Sequence, residues 1–143
     1  HQILMARIDA SLEPFSLTFS RFEVLMLLLF TRKGQLPLGK IGGRLQVHAA
    51  SVTNAIDRLE ASGLVQRVPH PTDGRTTLAR ITPEGRRLAR KAAAALNRDV
   101  FAAPGLDPAQ LRSTMAAFTA MRRAAGDFHD HTIRPNHQHE DTP

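Results

Sequence analysis

The sequence contains no cysteine. Disulfide bonds, thiolate metal sites and cysteine-based redox sensing are therefore excluded. The longest apolar run, from Val24 to Phe30, has only seven residues, whereas a helix that spans a bilayer needs about 20. No signal-peptide pattern opens the sequence, so we expect a soluble, cytoplasmic protein with no membrane partner. Because the sequence starts with His1 and not Met, we expect further residues before it in the natural protein.

Patterns that mark common enzyme sites are also missing. The sequence has no nucleophile-plus-base pattern, no glycine-rich phosphate loop and no paired carboxylates on an identifiable scaffold, so we predict neither catalytic residues nor a cofactor. A metal sensor could be inferred from His129, Asp130, His131, His137, His139, Glu140 and Asp141. Metal ligands need a fixed geometry, and the polar, proline-containing stretch 132–143 favours a disordered tail. We therefore predict no metal site.

What the sequence does contain is unevenly distributed positive charge. Its 143 residues carry 19 Lys and Arg against 13 Asp and Glu, a formal net charge of +6. Thr31 to Lys91 holds twelve basic and four acidic residues, a net +8, whereas the flanks hold seven basic and nine acidic residues. The length predicts a single domain over 1–143. Ordinary solvated faces are the alternative, but a basic centre is typical of a surface that faces a polyanion.

Apolar periodicity and capping residues predict two helices near the start. The first helix has an apolar face with residues at i, i+4 and i+7, namely Ile8, Leu12 and Phe15. This face extends back through Leu4. The helix should end at Glu13-Pro14, because a residue before proline avoids the helical region. Thr18 or Ser20 can cap the second helix, which is apolar nearly all round and should be buried. We expect Arg32-Lys33-Gly34 to end it.

Two short helices separated by a tight turn are predicted next. The first runs from Leu38 to Leu45, and its internal Gly42 and Gly43 cost roughly 1 kcal/mol each against alanine, so a neighbouring helix should pack closely there. After a turn of about 46–48, the second helix buries a stripe and ends at Gly63; the stripe is Val52, Ile56 and Leu59. This is the arrangement of a helix-turn-helix.

The other face of this second helix carries small polar residues, with Asp57 and Arg58 further along; they are Ser51, Thr53 and Asn54. A helix fits the major groove only if its leading face is small, and these side chains can hydrogen-bond to base edges while Arg58 reaches a phosphate or guanine. Any exposed amphipathic helix also shows polar residues, so the helix alone leaves both interpretations open.

The stretch after this helix predicts a β-hairpin. Two β-prone segments, "LVQRV" and "TTLARIT", flank Pro69 to Arg75. Pro71-Thr72-Asp73-Gly74 suits a tight turn, and Asp-Gly is favoured where φ must become positive. Arg75 at the tip, with Arg67 and Arg80 in the strands, makes the hairpin cationic. We interpret it as a wing beside a recognition helix.

The run from Leu36 to Leu88 resembles the MarR family of winged-helix transcriptional regulators, and "LTFSRFEVLMLL" is similar to that family's second helix. The most specific pieces are "SVTNAIDRLEASGLVQR", the pair Asp73-x-Arg75, and "ITPEG". The resemblance implies a mainly α fold with a small β-hairpin wing (α+β). It places a winged helix-turn-helix over 18–91 and helical dimerisation regions over 1–16 and 92–131.

The resemblance also implies roles for single residues. It assigns base or phosphate contacts to Ser51, Thr53, Asn54 and Arg58, and it assigns minor-groove insertion to Arg75, oriented by Asp73. A narrow minor groove attracts arginine, and a nearby carboxylate can direct it; the alternative is that Asp73 only caps its turn. His48 departs from the usual Ser, Thr or Asp cap, so either the helix starts elsewhere or His48 contacts DNA. Asn54 stands where arginine is frequent.

A homodimer is predicted from the ends of the chain. Thr82-Pro83-Glu84 and Asp107-Pro108-Ala109-Gln110 each start a helix. The last helix has apolar residues at spacings of 4, 3, 3, 4 and 3, namely Leu111, Met115, Phe118, Met121, Ala125 and Phe128. With Leu4 and Ile8 of the first helix, this stripe favours an intertwined dimer over packing within one chain, as the resemblance also implies. Such a dimer would prefer double-stranded DNA with a pseudo-palindromic site.

The resemblance further implies a repressor that a small aromatic or phenolic ligand releases. Phe15, Phe19, Phe22 and Met26 would line the ligand pocket and Arg21 would hold a carboxylate; the alternative is that these are core residues. A winged-helix protein-interaction module without specific DNA binding is the alternative function.

Overall fold

The computed structural model describes residues 1–102 and 105–126. Within them lie six α-helices and three strands: α1 (Gln2–Leu12), α2 (Phe19–Phe30), β1 (Gln35–Pro37), α3 (Leu38–Leu45), α4 (Ala49–Ala61), β2 (Val65–Pro69), β3 (Thr77–Ile81), α5 (Pro83–Leu96) and α6 (Pro108–Ala124). The predicted class, mainly helical with a small β-hairpin wing, is confirmed. The chain divides into two compact units, His1–Pro104 and Gly105–Pro143. The expectation of one domain over 1–143 stays a prediction.

A short turn of non-α helix follows each of two helices in the first unit, α1 and α5. A 3-10 turn, Glu13–Phe15, follows α1, which ends at Leu12 as the Glu13-Pro14 pair predicted. A π-helical turn, Asn97–Phe101, follows α5 and was not predicted. The Arg7 guanidinium on α1 donates to the Asp99 carbonyl in this turn over 3.0 Å. The start of the chain is thereby tied to the end of α5.

The limits of α2 follow from its caps. Of the two candidate caps, Thr18 is the one used, since its hydroxyl accepts from the Arg21 amide at 3.4 Å. The helix ends at Phe30, before the predicted stop, because the Thr31 hydroxyl donates to the Leu28 carbonyl at 2.8 Å. Gly34 adopts a φ of 65° in the turn that follows and leads into β1. The predicted stop at Arg32-Lys33-Gly34 therefore lies two to four residues beyond the observed end of α2.

The sheet has three antiparallel strands in the order β1-β3-β2. The two hairpin strands were predicted, and they pair from Val65 opposite Ile81 to Pro69 opposite Thr77. Strand β1 was missed, because three residues that include a proline give no strand signal. It pairs with the free edge of β3, with Gln35 opposite Arg80.

The helix-turn-helix is α3 and α4, joined by Gln46, Val47 and His48. Gln46 caps α3 in the left-handed conformation, with a φ of 55°. Gly42 is buried, and a Cβ there would lie 3.2 Å from the Val47 carbonyl oxygen. The expected close packing is therefore found at Gly42, whereas a Cβ on Gly43 would meet nothing within 4 Å. Helix α4 buries the predicted stripe, together with Ala55.

One core joins these elements. It runs from the first helix through α2 and α4 to the sheet and α5, and its largest fully buried side chains include Leu12, Leu25, Ile56, Leu59 and Leu96. At the start of α5 the predicted cap is confirmed, since the Thr82 hydroxyl accepts from the Gly85 amide at 3.0 Å and donates to the Gly63 carbonyl at 2.8 Å. The sheet and α5 are thereby joined to the end of α4.

The described part of the second unit is mainly helix α6. Asp107 caps it with a full capping box, because its carboxylate accepts from the Gln110 amide while the Gln110 side chain accepts from the Asp107 amide. This confirms the predicted start. Its apolar side chains are exposed, from 37% at Leu111 to 65% at Met115 and Met121. Phe128 and the tail at 132–143 lie outside the described residues.

Candidate nucleic-acid interface

The polar residues of α4 divide into two groups that face different clefts. Ser51, Asn54 and Arg58 follow one another at i, i+3 and i+7, a spacing that puts them on one side of a helix. They line an open cleft of about 650 Å³ against the start of α2. Thr53 lines a smaller cleft of about 250 Å³ beside α3. Its hydroxyl donates to the Ala49 carbonyl at 3.1 Å, so its proton is used within the helix.

His48 is the residue before α4, and the helix does start at Ala49. Of the two alternatives for His48, a different helix start is therefore ruled out. The imidazole makes no capping hydrogen bond; the His48 carbonyl accepts from the Ser51 and Val52 amides at 3.0 and 3.2 Å. The side chain is exposed at the start of the polar face.

Arg67 on β2 is held against α4 by two acids. Its guanidinium donates to Asp57 Oδ1 at 2.5 Å and also to the Glu60 carboxylate, which accepts in addition from the Arg67 amide at 2.9 Å. These two hydrogen bonds to the carboxylate hold the pKa of Glu60 below its ordinary value, and the one from the Arg67 backbone amide has the larger effect. The Asp57 hydrogen bond raises the pKa of Arg67. The sequence pattern counted Arg67 among the positive charges of the hairpin. In the structure its charge is paired, and the side chain links β2 to α4.

The wing tip is closed by the Asp73 carboxylate. One oxygen accepts from the Arg75 amide at 3.0 Å and the other from the Thr76 hydroxyl at 2.6 Å, and the Thr76 amide donates to the Asp73 carbonyl at 3.0 Å. The Thr76 bond, followed by the Arg75 amide bond, lowers the pKa of Asp73. Asp73 therefore positions the backbone of Arg75, and no ion pair between the two side chains is found among the described residues.

The turn itself differs from the prediction. It spans Asp73 to Thr76, two residues later than predicted, and Gly74 does not adopt a positive φ. The physical reason is that the loop is longer than a two-residue turn. Hydrogen bonds to the Asp73 side chain and between His70 and Thr76 close this longer loop, so no residue needs the left-handed conformation. The His70 amide donates to the Thr76 carbonyl at 3.0 Å.

Arg75 shares a cleft with a residue that the sequence did not single out. Lys40 of α3 and Arg75 line the same cleft of about 610 Å³, together with the wing residues Thr76 and Thr77. Both cations are exposed. The third arginine of the predicted cationic hairpin, Arg80, donates instead to the Gln35 side chain at 2.8 Å. Only tertiary structure brings Lys40 to the wing, because the two lie 35 positions apart.

The residues predicted for an effector pocket lie in several places. Arg21 lines the cleft beside α4, and Met26 lines a different cleft, of about 500 Å³, at the end of α2. Phe22 is a core residue, and its ring stacks on that of Phe19 with 6.5 Å between centroids. Phe15 is half-buried and packs against the core.

The predicted dimerisation residues also differ in exposure. Ile8 is only 3% exposed, so its side chain is part of this chain's own core, whereas Leu4 is 46% exposed. On α6 the four predicted residues, Leu111, Met115, Phe118 and Met121, are all exposed. Ile3, at 83%, is an exposed apolar residue of α1 that the periodicity did not select.

Among the described residues, no group of three histidine, aspartate or glutamate side chains is arranged to hold a metal ion, and the histidine-rich segment 129–141 lies outside them. In the same part of the chain, no helix has the length and apolar character needed to cross a bilayer.

A polar-faced second helix of a helix-turn-helix, followed by a β-hairpin, defines the winged helix-turn-helix class of proteins. The sequence profile of the MarR family matches residues 17–77. The structure of Sco5413, a MarR family transcriptional regulator from Streptomyces coelicolor, is 45% identical, covers 89% of this chain and 88% of that one, and superposes with a TM-score of 0.81. The chain belongs to the MarR family of transcriptional regulators.

Two further relatives extend the comparison. The transcriptional regulator MhqR of Bacillus subtilis is 40% identical over 63 residues, which are 44% of this chain and 43% of MhqR. The chain thus spans about half the length of the sequence relatives it matches. A mutant MarR from E. coli, solved in complex with operator DNA, shares the fold at 20% identity and a TM-score of 0.76, covering 84% of this chain and 86% of that one.

Proposed function

We propose that this protein is a dimeric transcriptional repressor that binds a specific DNA sequence through α4 and the wing. The observation that carries the proposal is the side of α4 formed by Ser51, Asn54 and Arg58. It is exposed, small at its leading end and cationic at the other, and it borders a cleft whose lining contains no acid. A helix with this surface fits the major groove, where Ser and Asn hydrogen-bond to base edges.

The wing supports the same function. Arg75 stands at an exposed tip that Asp73 holds in one backbone conformation, so the backbone of the wing tip needs little ordering before Arg75 inserts into the minor groove. His48 and Thr53 adjoin the polar face of α4 and complete the proposed contact set. The E. coli relative solved with operator DNA has the same fold.

A homodimer would join the chains through the exposed apolar side chains of α6 and Leu4 of α1. Met115, Phe118 and Met121 are each more than half exposed, which is unusual for large apolar side chains of a protein that works alone. A twofold dimer would place two copies of α4 in successive major grooves about 34 Å apart, and so would select a pseudo-palindromic site. Working in the nucleoid, such a protein would be cytoplasmic.

Release by a small aromatic or phenolic effector is the further part of the proposal. It rests on the family resemblance; of the residues suggested for the pocket, Arg21 and Met26 line two different clefts. Its test is the DNA titration below, repeated with candidate aromatic acids. An effector should raise the dissociation constant for the specific duplex, and no change with any acid would count against release.

The function is tested by fluorescence titration of the duplex upstream of the protein's own gene, beside a scrambled duplex. The parent should bind the specific duplex about 10³-fold more tightly. Asn54→Ala should lose about 1–3 kcal/mol on the specific duplex and nothing on the scrambled one. Arg75→Ala should weaken binding to both. Equal affinity of the parent for the two duplexes would refute the proposal of a sequence-specific repressor. The alternative function, a winged-helix protein-interaction module, would then remain.

A further inference from the structure

The family resemblance suggests Arg21 for an effector pocket, and in the structure Arg21 lies beside α4. It lines the 650 Å³ cleft together with Thr18 and Ser20 of its own segment and with Ser51, Asn54 and Arg58 of α4. Two cations from two different helices therefore face one cleft. Thr18, Ser20 and Arg21 stand 30 or more positions before the α4 residues, so no local sequence pattern connects them.

A hydrogen bond to Thr18 orients the guanidinium of Arg21. Its Nε donates to the Thr18 hydroxyl oxygen at 3.1 Å, and that oxygen lies 3.1 Å from the Ser20 hydroxyl. Within the described residues, no acid pairs with Arg21 or Arg58, in contrast to Arg67, Arg87 and Arg98. The two terminal NH2 groups of Arg21 are thus available for a bidentate contact with an oxyanion.

Geometry identifies the oxyanion. The major groove is about 12 Å wide and a helix with its side chains is about 10 Å across, so residues immediately beside a helix in the groove meet the phosphates that border it. Arg21 stands immediately beside the stripe that we assign to the bases. We therefore infer that Arg21, oriented by Thr18, binds a DNA backbone phosphate across this cleft from Ser51, Asn54 and Arg58.

This inference rests on the proposed function and adds a phosphate contact from α2. A phosphate contact carries no sequence information, so its loss should weaken all duplexes equally and reduce the dependence on salt. Arg21→Gln keeps the length and polarity of the side chain without its charge. It should lower affinity for specific and scrambled duplexes by the same factor, about 3- to 10-fold at 0.1 M salt, and flatten the slope of log K against log salt by about 0.9.

The matched control is Arg32→Gln, which removes an exposed arginine after the other end of α2, roughly 15 Å away along the helix axis. It should leave both the affinity and the slope at parental values. Arg21→Lys should restore the slope, because the charge returns. Circular dichroism and the thermal midpoint of each variant check that α2 still folds.

The outcomes separate the two proposals. If the parent does not prefer its specific duplex, the proposed function fails, and the inference about Arg21 fails with it. If the parent binds specifically but Arg21→Gln matches Arg32→Gln in affinity and slope, only the phosphate contact is overturned. A loss confined to the specific duplex would also overturn it, because a base contact, and not a phosphate contact, would then be the role of Arg21.

Discussion

Arg67 on β2 reaches across to Asp57 on α4, with 2.5 Å between Nη2 and Oδ1. The same guanidinium also bonds to Glu60 one turn further along α4. The strand that begins the wing is thereby fastened to the helix whose other side we assign to DNA bases. Arg67 therefore helps to fix the orientation of the wing relative to α4, beside the core contacts and the Thr82 hydrogen bonds.

Arg67→Gln should therefore lower both stability and DNA affinity. The Arg67 side chain is 28% exposed and has two acidic partners, whereas Arg87, with one partner on its own helix, is 62% exposed. We expect the thermal midpoint to fall by roughly 3 °C for Arg67→Gln and by less than about 1 °C for Arg87→Gln, because exposed pairs contribute little. Thermal unfolding followed by circular dichroism measures both. Equal shifts would contradict a special role for Arg67.

Two glycines should respond in opposite ways to alanine. A Cβ on Gly85 would lie 2.1 Å from the Leu64 carbonyl oxygen, so Gly85→Ala must displace α5 from the end of α4 and should cost at least about 2 kcal/mol. Gly43 has nothing within 4 Å of that position, and Gly43→Ala should stabilise by about 0.5–1 kcal/mol through helix propensity. Urea unfolding gives both free energies. A stabilised Gly85→Ala would refute the close contact.

The wing tip should lose its order in acid. The hydrogen bonds to Thr76 and Arg75 lower the pKa of Asp73 in the folded wing, so the stabilising effect is complete above the unfolded carboxyl pKa of about 3.9. It is lost as the pH falls through the lowered folded value. Amide hydrogen exchange at Arg75 and Thr76 is the measurement. In the parent, the protection factors of these two amides should decrease as the pH is lowered, and in Asp73→Ala they should be low at every pH. Protection factors that do not change with pH in the parent would contradict the role of Asp73.

The oligomeric state should depend on α6. Phe118 is 57% exposed in the single chain, and in the proposed dimer a glutamate at this position would be buried as an unpaired charge. Phe118→Glu should therefore shift the protein from dimer to monomer in analytical ultracentrifugation. Arg112→Glu, a change of charge on the same helix but away from the apolar stripe, is the control. If the Phe118→Glu variant stayed dimeric, the proposal that Phe118 lies in the dimer interface would be wrong.

Much of the fold follows from local sequence. The caps at Thr18, Thr82 and Asp107 and the apolar stripe of α4 are interactions within three or four positions along the chain. These signals depend only on neighbouring residues, which is why helix positions and the hairpin could be predicted. The polar side chains of α4 that we propose for the site were selected in the same way, from their position opposite the apolar stripe.

Tertiary structure decided the rest. Strand β1 exists because β3 offers it a free edge, and Gly74 needs no positive φ because Asp73 closes the turn from its side chain. Whether an arginine is free or paired could not be read from composition: Arg67 meets Asp57 ten positions away, whereas Arg21 meets no acid among the described residues. The sequence by itself determined the helices, the hairpin and the polar face of α4. Charge pairing and clefts join residues distant in sequence, so only the packed fold could determine them.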